Sequence, residues 1–263
     1  MQELRLITEP AVYLVGYQNI EPEAVACFGA DQIGQEWQSD LDTGAEALVE
    51  MAGRLCYMSY TRPRPGGGSA YLQHLLESGH GSVLEHAVFS LVIAGVSRTL
   101  THELVRHRHM SFSQLSQRYV DHSETGFVVP PAIVNDPELL AVWRESVEQA
   151  QQAYHKLAGL LTAKLASDPS YESATDRRKA ARQAARSVLP GCTETKVFVT
   201  ANARSWRHFF ETRGSAHADA EMRRLAVAIH GVLSDAAPGL FEDIRKVRIL
   251  DGSFGLQVGY TRV

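Results

Sequence analysis

Cationic and hydrogen-bonding side chains crowd into one stretch of the sequence, Arg106–Tyr119, which we call the basic run. Between residues 104 and 120 there are three Arg and two His but no Asp or Glu. Surface helices usually pair their cations with acids three or four positions away. Arg suits phosphate because its planar guanidinium group donates two parallel hydrogen bonds and stays charged when partly buried. We therefore expect an anionic partner here.

Arg, His, Ser and amide groups recur in four segments of the chain, 80–86, 98–119, 178–186 and 202–213. For 178–186 alone, a solvated helix face is an equally good explanation. Four such segments together favour a ligand with more than one phosphate, either a nucleotide or a dinucleotide cofactor. The chain has neither a GxGxxG nor a GxxxxGK[ST] motif, so neither a Rossmann nor a Walker loop is expected. Residue chemistry leaves the reaction open.

The composition is that of a globular protein, with 263 residues, 44% of them hydrophobic, and a net charge of −4. We expect a single domain over residues 1–263. The acidic balance argues against a protein that coats nucleic acid, so the basic run is interpreted as a local site. The three cysteines are far apart and predict neither a disulfide framework nor a metal site. Without an apolar leader or a membrane-length segment, a cytoplasmic location is expected.

The elements that must position these residues are predicted from periodicity and from capping and breaker residues. Residues 4–16 predict one or two strands, and 87–96 a central strand. A helix follows Asp42 and Gly44, and its apolar residues at spacings of three and four are expected to face the core. These are Leu48, Ala52, Leu55 and Cys56.

A surface loop is predicted where Pro and Gly are concentrated, over Arg62–Pro65 and Gly66–Gly68. Ser69 is expected to cap a helix over 70–78 that ends at Gly79. Ser97 is expected to cap the helix that enters the basic run. If that helix continued through both Arg106 and Arg108, the two side chains would point about 200° apart. Either the helix ends there, or its end lies between two sites at a subunit interface, which is the alternative we prefer.

The C-terminal half predicts mainly helices. Asp136-Pro137-Glu138 opens a long one. Further helices are expected over 176–189 and 203–212, the latter capped by Asn202, and another from Ser215. Strand 195–201 and a hairpin over 246–258, with its turn at Asp251-Gly252, complete the pattern. The apolar stripe of the long helix comprises Leu140, Trp143, Val147, Ala150, Tyr154, Leu157, Leu161 and Leu165.

Arg106-His107-Arg108, seven residues, then Ser116 and Arg118 resemble the signature of the flavin-dependent thymidylate synthases. Three other segments are similar to motifs of that family and occur in the same order. They are Gly79-His80-x-Ser82-x-x-Glu85-His86, Ala185-Arg186-x-Val188-Leu189-Pro190, and Asn202-Ala203-Arg204 with Arg213 and His217 downstream.

The resemblance implies an α/β fold of the α+β type, in which long helices flank a mixed central sheet. It implies a homotetramer with active sites at subunit interfaces. The activity it implies is reductive methylation of dUMP to dTMP, with 5,10-methylenetetrahydrofolate as carbon donor and FAD reduced by NADPH as hydride source. Tetrahydrofolate is the folate product.

The resemblance also assigns residues. Those matched to FAD are Ser82, Arg106, His107, Arg108, Gln114, Asn202, Ala203, Arg204 and His208. Those matched to dUMP are Glu103, Leu104, Val105, Arg106, Gln114, Leu115, Ser116, Gln117, Arg118, Arg186 and Arg213. Arg213 is expected to be catalytic, since it matches a residue that polarises the uracil ring at N3 and O2. His80 and Tyr119 are expected near the folate or flavin edge.

Two departures from the family pattern are Ser113 and Gln114, where relatives often carry Asn and Glu. An amide or backbone contact is expected to replace a carboxylate at the nucleotide. Ser116 is interpreted as a binding residue, because no base and acid partner occurs at a recognisable spacing. The alternatives are a nucleotide- or RNA-binding protein without this activity and, more weakly, a flavoprotein that methylates uridine in RNA.

Overall fold

The computed structural model describes residues 4–61 and 65–261. They form two compact units whose segments alternate along the chain. The basic run is divided accordingly, since Arg106 and residues 113–119 lie in unit 1 and residues 107–112 in unit 2. Unit 1 takes its described residues from 1–11, 93–106 and 113–197, and unit 2 from 12–92, 107–112 and 198–263.

The central sheet has four strands in the order β2-β3-β6-β4. Two further pairs complete the β-structure: β1 and β5 are parallel, with Leu6 opposite Phe127, and β7 and β8 form an antiparallel hairpin, with Ile244 opposite Val258. The predicted α/β fold is confirmed. The strands are β1 (Leu6–Ile7), β2 (Ala11–Tyr17), β3 (Val88–Ser97), β4 (Ser111–Gln114), β5 (Phe127–Val128), β6 (Glu194–Asn202), β7 (Ile244–Arg248) and β8 (Phe254–Val258).

Most of the longer helices begin at a side-chain cap, which satisfies backbone N–H groups that have no partner within the helix. Short π and 3₁₀ turns occupy Gly29–Ile33, Gly81–His86 and Arg186–Val188. The α-helices are α1 (Pro22–Phe28), α2 (Gly44–Tyr57), α3 (Gly67–Glu77), α4 (Arg98–Leu104), α5 (Pro137–Leu165), α6 (Ala174–Ala185), α7 (Ala203–Arg213), α8 (Ala220–Ala236) and α9 (Pro238–Phe241).

The prediction for the entry to the basic run is confirmed in part. Strand β3 is central, and Ser97 Oγ accepts a hydrogen bond from Leu100 N (2.9 Å), which caps α4. Helix α4 ends at Leu104. An unbroken helix through Arg106 and Arg108 is therefore wrong, and of the two alternatives the helix end is the one observed. The subunit interface stays a prediction.

In unit 1, α5 and α6 pack against each other. Asp136 Oδ1 caps α5 as predicted, accepting from Glu138 N (3.0 Å) and Leu139 N (3.1 Å). Only Val147 and Tyr154 of the predicted stripe are fully buried. Helix α6 ends earlier than predicted, at Ala185, because the chain tightens into a 3₁₀ turn before Pro190.

The predicted inward face of α2 in unit 2 is wrong. Leu55 and Cys56 are exposed, whereas Glu46, Glu50 and Arg54 are buried. These charged side chains can be buried because each has a hydrogen-bond partner. Arg54 Nε donates to Glu50 Oε1 (2.8 Å), and Glu46 Oε1 accepts from the backbone N–H of residue 239 (2.6 Å).

Gly67 and Gly68 belong to α3 rather than to the predicted loop, and Ser69 does not cap the helix. The cap is Gly66, whose φ of +93° favours glycine. Gly68 N donates to Asp40 Oδ1 (2.7 Å), and a Cβ there would collide with Leu41. The predicted loop residues Arg62, Pro63 and Arg64 lie outside the described residues.

The core of unit 2 is aromatic, with Trp206, Phe209 and Phe210 of α7 and Phe241 of α9 all fully buried. Helix α8 starts at Asp219 rather than Ser215, because the Asp219 carboxylate accepts from Glu221 N (2.9 Å) and Met222 N (3.3 Å). The C-terminal hairpin is confirmed. No described helix has both the length and the apolar character needed to cross a membrane.

Candidate functional site

In unit 1, the second half of the basic run is a loop fixed by backbone bonds. Leu115 N donates to Lys196 O (2.9 Å) of β6, and Leu115 O accepts from Arg98 Nη1 (3.3 Å). Ser116 Oγ accepts from Arg118 N (3.2 Å), which closes a tight turn. The loop therefore holds residues 115–118 in one geometry.

Arg118 and Gln117 are withdrawn from solvent within this loop. Gln117 is buried, and the Nε of the half-buried Arg118 has no hydrogen-bond partner among the described residues. Buried guanidinium N–H groups are normally satisfied. An anionic oxygen is the kind of acceptor that such a donor requires.

Arg98 and Arg186 form a like-charged pair beside the loop. Burial, followed by the charge of Arg186, lowers the pKa of the Arg98 guanidinium group. Neither side chain forms an ion pair with a carboxylate anywhere in 4–61 or 65–261. Two uncompensated cations in one place create a positive potential that selects an anion.

Arg98 is not among the site residues predicted from the sequence. A signal was present, because Arg98 directly follows the cap Ser97 and so occupies the first turn of α4. A cation there opposes the helix dipole, which favours acids at that end. A cation at a helix N-terminus, where acids are favoured, is a candidate for ligand binding.

Gln114 is engaged inside unit 1. Its Nε2 donates to Thr101 Oγ1 (2.8 Å), and more weakly to Thr195 Oγ1 (3.4 Å). Both threonines are buried. The Gln114 amide thus links strand β4 to α4 and β6 by hydrogen bonds. This structural role was not predicted from the sequence. Among the other residues matched to the nucleotide, Leu104 is buried, whereas Val105 and Arg106 are exposed.

Hydrogen bonds and an ion pair connect the end of the basic run and the residues that follow it to α6. Arg182 donates to Tyr119 O (2.8 Å) and to Asp121 Oδ2 (3.1 Å). Lys179 Nζ lies 4.6 Å from the centre of the exposed Tyr119 ring. A side-chain hydrogen bond with Lys179, and then its positive charge, lower the pKa of that phenol. The Arg182 side of α6 therefore has a specific partner, and a merely solvated face is wrong for this residue.

In unit 2, the start of α7 gathers the residues matched to FAD. Asn202 Oδ1 caps the helix by accepting from Ser205 N (2.9 Å), and Ala203 N donates to Ala87 O (2.8 Å). Arg204 forms an exposed ion pair with Glu85 Oε1 (2.7 Å). Ser82, Arg108 and His208, also matched to FAD, are exposed in the same unit.

His107 and Arg213 meet at the other end of α7. Arg213 Nε donates to His107 Nε2 (3.3 Å), and the Phe209 ring contacts His107 edge to face at a centroid distance of 5.2 Å. In this geometry Nε2 of His107 is the acceptor of the bond. Arg213 is thus fixed in orientation while half-buried.

Arg207, counted in sequence among the basic groups of α7, belongs to the core. It is 2% exposed and binds Asp243 through two bonds of 2.6 and 2.8 Å. It also donates to the carbonyl oxygens of Leu240 (2.8 Å) and Tyr260 (3.1 Å). Both terminal nitrogens of Arg207 are thus paired, and its buried Nε has no hydrogen-bond partner among the described residues. The pairing with Asp243 and two carbonyl groups indicates a structural residue.

The structure thus brings the predicted residues together in two groups, each within one unit. Arg213, assigned to the nucleotide, lies with the flavin-matched His107 in unit 2. Arg106 and Gln114, assigned to both ligands, lie in unit 1. The nucleotide-matched group of unit 1 comprises Glu103, Leu104, Val105, Arg106, Gln114, Leu115, Ser116, Gln117, Arg118 and Arg186.

Comparison with known proteins identifies related sequences over most of the chain. Residues 39–239 match the family model described as thymidylate synthase complementing protein. The flavin-dependent thymidylate synthase of Mycolicibacterium vanbaalenii is 51% identical over 219 residues, covering 82% of this chain and 86% of the relative. That of Mycobacteroides abscessus is 50% identical over 220 residues, covering 83% and 86%. That of Mycobacterium avium is 48% identical over 219 residues, covering 82% and 86%.

Proposed function

The chain belongs to the family of the flavin-dependent thymidylate synthases, and on that premise we propose that it converts dUMP to dTMP. The carbon donor is 5,10-methylenetetrahydrofolate, and the hydride comes from FAD reduced by NADPH, so that tetrahydrofolate is released. The observation that carries the proposal is the uncompensated pair Arg98 and Arg186 beside the fixed loop 115–118. A phosphate monoester is the substrate group that such a cluster suits.

The nucleotide is held by the unit 1 group. Arg186 and Arg118 supply charge-assisted hydrogen bonds to its phosphate, and the unsatisfied Nε of Arg118 supports that role. The turn closed by Ser116 and Arg118 directs backbone groups of the loop to the nucleotide. Arg98 acts with them by fixing Leu115 O and adding a second positive charge.

Most of the donor groups matched to FAD lie in unit 2, whereas Arg106 and Gln114 belong to unit 1. The diphosphate of FAD would be held by Arg108 and Arg204 with the capped start of α7, since an exposed ion pair such as Arg204–Glu85 costs little to open. The bound flavin supplies hydride chemistry that no protein side chain provides. The residues that would hold it are Ser82, Arg106, His107, Arg108, Gln114, Asn202, Ala203, Arg204 and His208.

Arg213 is the proposed catalytic residue. Its contact with the His107 ring fixes the guanidinium group without pairing it with a carboxylate. A fixed cation at N3 and O2 of uracil would stabilise the anion that forms as C5 becomes nucleophilic. Ser116 serves in binding only, because no imidazole or carboxylate of the described chain is hydrogen-bonded to its Oγ.

The active form is proposed to be a cytoplasmic homotetramer whose sites take residues from neighbouring subunits. Leu139, Val142 and Leu160 of α5 are each at least half exposed in the single chain, as are Tyr13 and Tyr17 of β2. Large apolar residues exposed along whole elements support self-association. Exposed thiols outside any disulfide, at Cys27 and Cys56, are typical of a reducing compartment.

The test is to purify the protein, record its flavin absorption, and follow NADPH oxidation with and without dUMP and methylenetetrahydrofolate. We expect a flavin spectrum and an NADPH oxidation rate that depends on dUMP, with dTMP as product. Deoxyuridine, which lacks the phosphate, is the matched control and should be inactive. A protein that cannot be loaded with FAD, or that prefers RNA to dUMP in competition, would overturn the proposal.

A further inference from the structure

His122 is a buried imidazole in the loop that follows the basic run, and the functions described above do not use it. It is 2% exposed, and its Nε2 has no hydrogen-bond partner among the described residues. Its backbone N–H donates to the hydroxyl of Tyr154 (3.3 Å), which holds the loop to α5. A buried ring nitrogen without a hydrogen-bond partner lowers the free energy of unfolding. Its presence therefore calls for an explanation, such as a function.

The charges that act on His122 from other elements are mainly cationic. Arg98 on α4, Lys196 on β6 and Arg182 on α6 disfavour its protonation, whereas Asp121, which is paired with Arg182 (3.1 Å), favours it. Lys196 Nζ also lies 3.7 Å from Glu194 Oε1. Burial, and then the positive charge of Arg98, lower the pKa of His122. The imidazole is therefore neutral near pH 7 when no anion is present.

The same cations connect His122 to the proposed phosphate site. Arg98 donates to Leu115 O, and Lys196 O accepts from Leu115 N, so both residues contact the loop that holds Ser116 and Arg118. A dianion bound by this cluster would offset the charges that now keep His122 neutral. The bound dianion would therefore raise the pKa of the imidazole from its lowered position.

We propose that His122 is a positioning residue that links anion binding to protonation: it takes up one proton from solvent when a dianionic phosphate ester binds, and the resulting imidazolium stabilises the bound anion. The identity of the anion as dUMP rests on the proposed function, whereas the proton linkage rests on the cluster itself. Affinity for a dianion should accordingly rise as the pH falls toward the ordinary pKa of histidine.

The experiment is calorimetric titration of the FAD-loaded protein with dUMP in two buffers of different ionisation enthalpy, which counts the protons taken up. We expect net uptake near pH 6.5 that declines by about pH 8, where histidine is neutral in either state. The phosphate of dUMP itself titrates near pH 6. Its contribution cancels when wild type is compared with His122→Gln.

Inorganic sulfate is the second probe, because it stays dianionic throughout this range. For wild type, sulfate should bind at least about threefold more tightly near pH 6.5 than near pH 8. His122→Gln and His122→Asn should bind sulfate with the same affinity at both values. His155→Gln is the control, because it removes an exposed histidine of α5 that is far from Arg98 and Lys196 in sequence. This variant should behave as wild type.

Thermal unfolding of wild type needs no variant. Because the pKa of His122 is lowered on folding, its contribution to stability is complete above the unfolded pKa of about 6.5 and is lost as the pH falls below it. Saturating sulfate should reduce that loss.

Three outcomes decide between the two proposals. Wild type that binds dUMP or sulfate without proton uptake beyond that of His122→Gln overturns the linkage and leaves the proposed function intact. Sulfate-linked uptake without dUMP binding supports the linkage but overturns the function. Failure to bind either anion overturns both.

Discussion

Arg207 in unit 2 and Arg98 in unit 1 are both withdrawn from solvent, but they differ in their partners. Arg207 binds the Asp243 carboxylate twice and two backbone carbonyls besides. Arg98 has one carbonyl bond and the cation Arg186 as its neighbour. In the first arrangement, a largely buried carboxylate compensates the charge of the guanidinium group, although the Nε of Arg207 has no partner among the described residues. The second is stable only because partial exposure solvates it, and it gains most from an added anion. Pairing, rather than residue type, separates scaffold from site.

The comparison predicts its largest effect at Arg207. Arg207→Ala should destabilise the protein by about 3–5 kcal/mol, because it leaves the Asp243 carboxylate largely buried without its partner. Chemical denaturation measures this loss. Arg245→Ala removes an exposed arginine two residues from Asp243 and should change stability by less than about 0.5 kcal/mol. Equal stability of the two variants would remove the structural assignment of Arg207.

Arg186 should show the opposite balance of binding and stability. Arg186→Gln should weaken dUMP binding by about 2 kcal/mol, roughly 30-fold, because a charge-assisted bond to the phosphate is lost. Its melting temperature should stay level or rise, since Arg98 loses a like-charged neighbour. Calorimetric titration and thermal unfolding measure the two quantities. Arg178→Gln, at an exposed residue of the preceding helix α6, is the control and should affect neither.

The sequence predicted elements best where one residue fixes a boundary. Ser97, Asp136 and Asn202 cap helices as expected, because a side chain that satisfies local N–H groups acts within three residues. The inward face of α2 was predicted wrongly, since the pairing of Glu46 and Glu50 depends on partners that periodicity does not reveal. The helical Gly67 and Gly68 likewise depend on contacts with Asp40 and Leu41, far away in sequence.

For the candidate site, the sequence predicted which segments contribute. It did not predict which residues of a segment are structural and which are available for binding. Arg204 and Arg207 are three residues apart on α7, yet one is exposed and the other is core, because only Arg207 faces Asp243. Arg98 and His122 were not predicted as site residues, because their proposed roles depend on charged neighbours in other elements. The resemblance supplied residue assignments, and the structure added the partners that distinguish them.

Asn202 separates helix capping from anion binding within unit 2. Asn202→Asp should keep the cap, so stability should change by less than about 0.5 kcal/mol. The added negative charge should weaken FAD binding by about 1 kcal/mol, roughly fivefold, if the diphosphate lies at this helix start. Fluorescence of released flavin measures the affinity. Asn202→Ala is the complement, expected to cost about 1 kcal/mol of stability by losing the cap.

The smallest effect is expected at the exposed pair Arg204–Glu85, which resembles the buried pair of Arg207 in geometry but not in environment. Both side chains are nearly half exposed, so Glu85→Gln should change stability by less than about 0.5 kcal/mol. Because Arg204 loses its competing carboxylate, FAD affinity should stay equal or rise, whereas Arg204→Gln should lower it. If Glu85→Gln instead weakened FAD binding tenfold, the carboxylate would be a positioning group for Arg204, and exposure alone would no longer distinguish the two pairs.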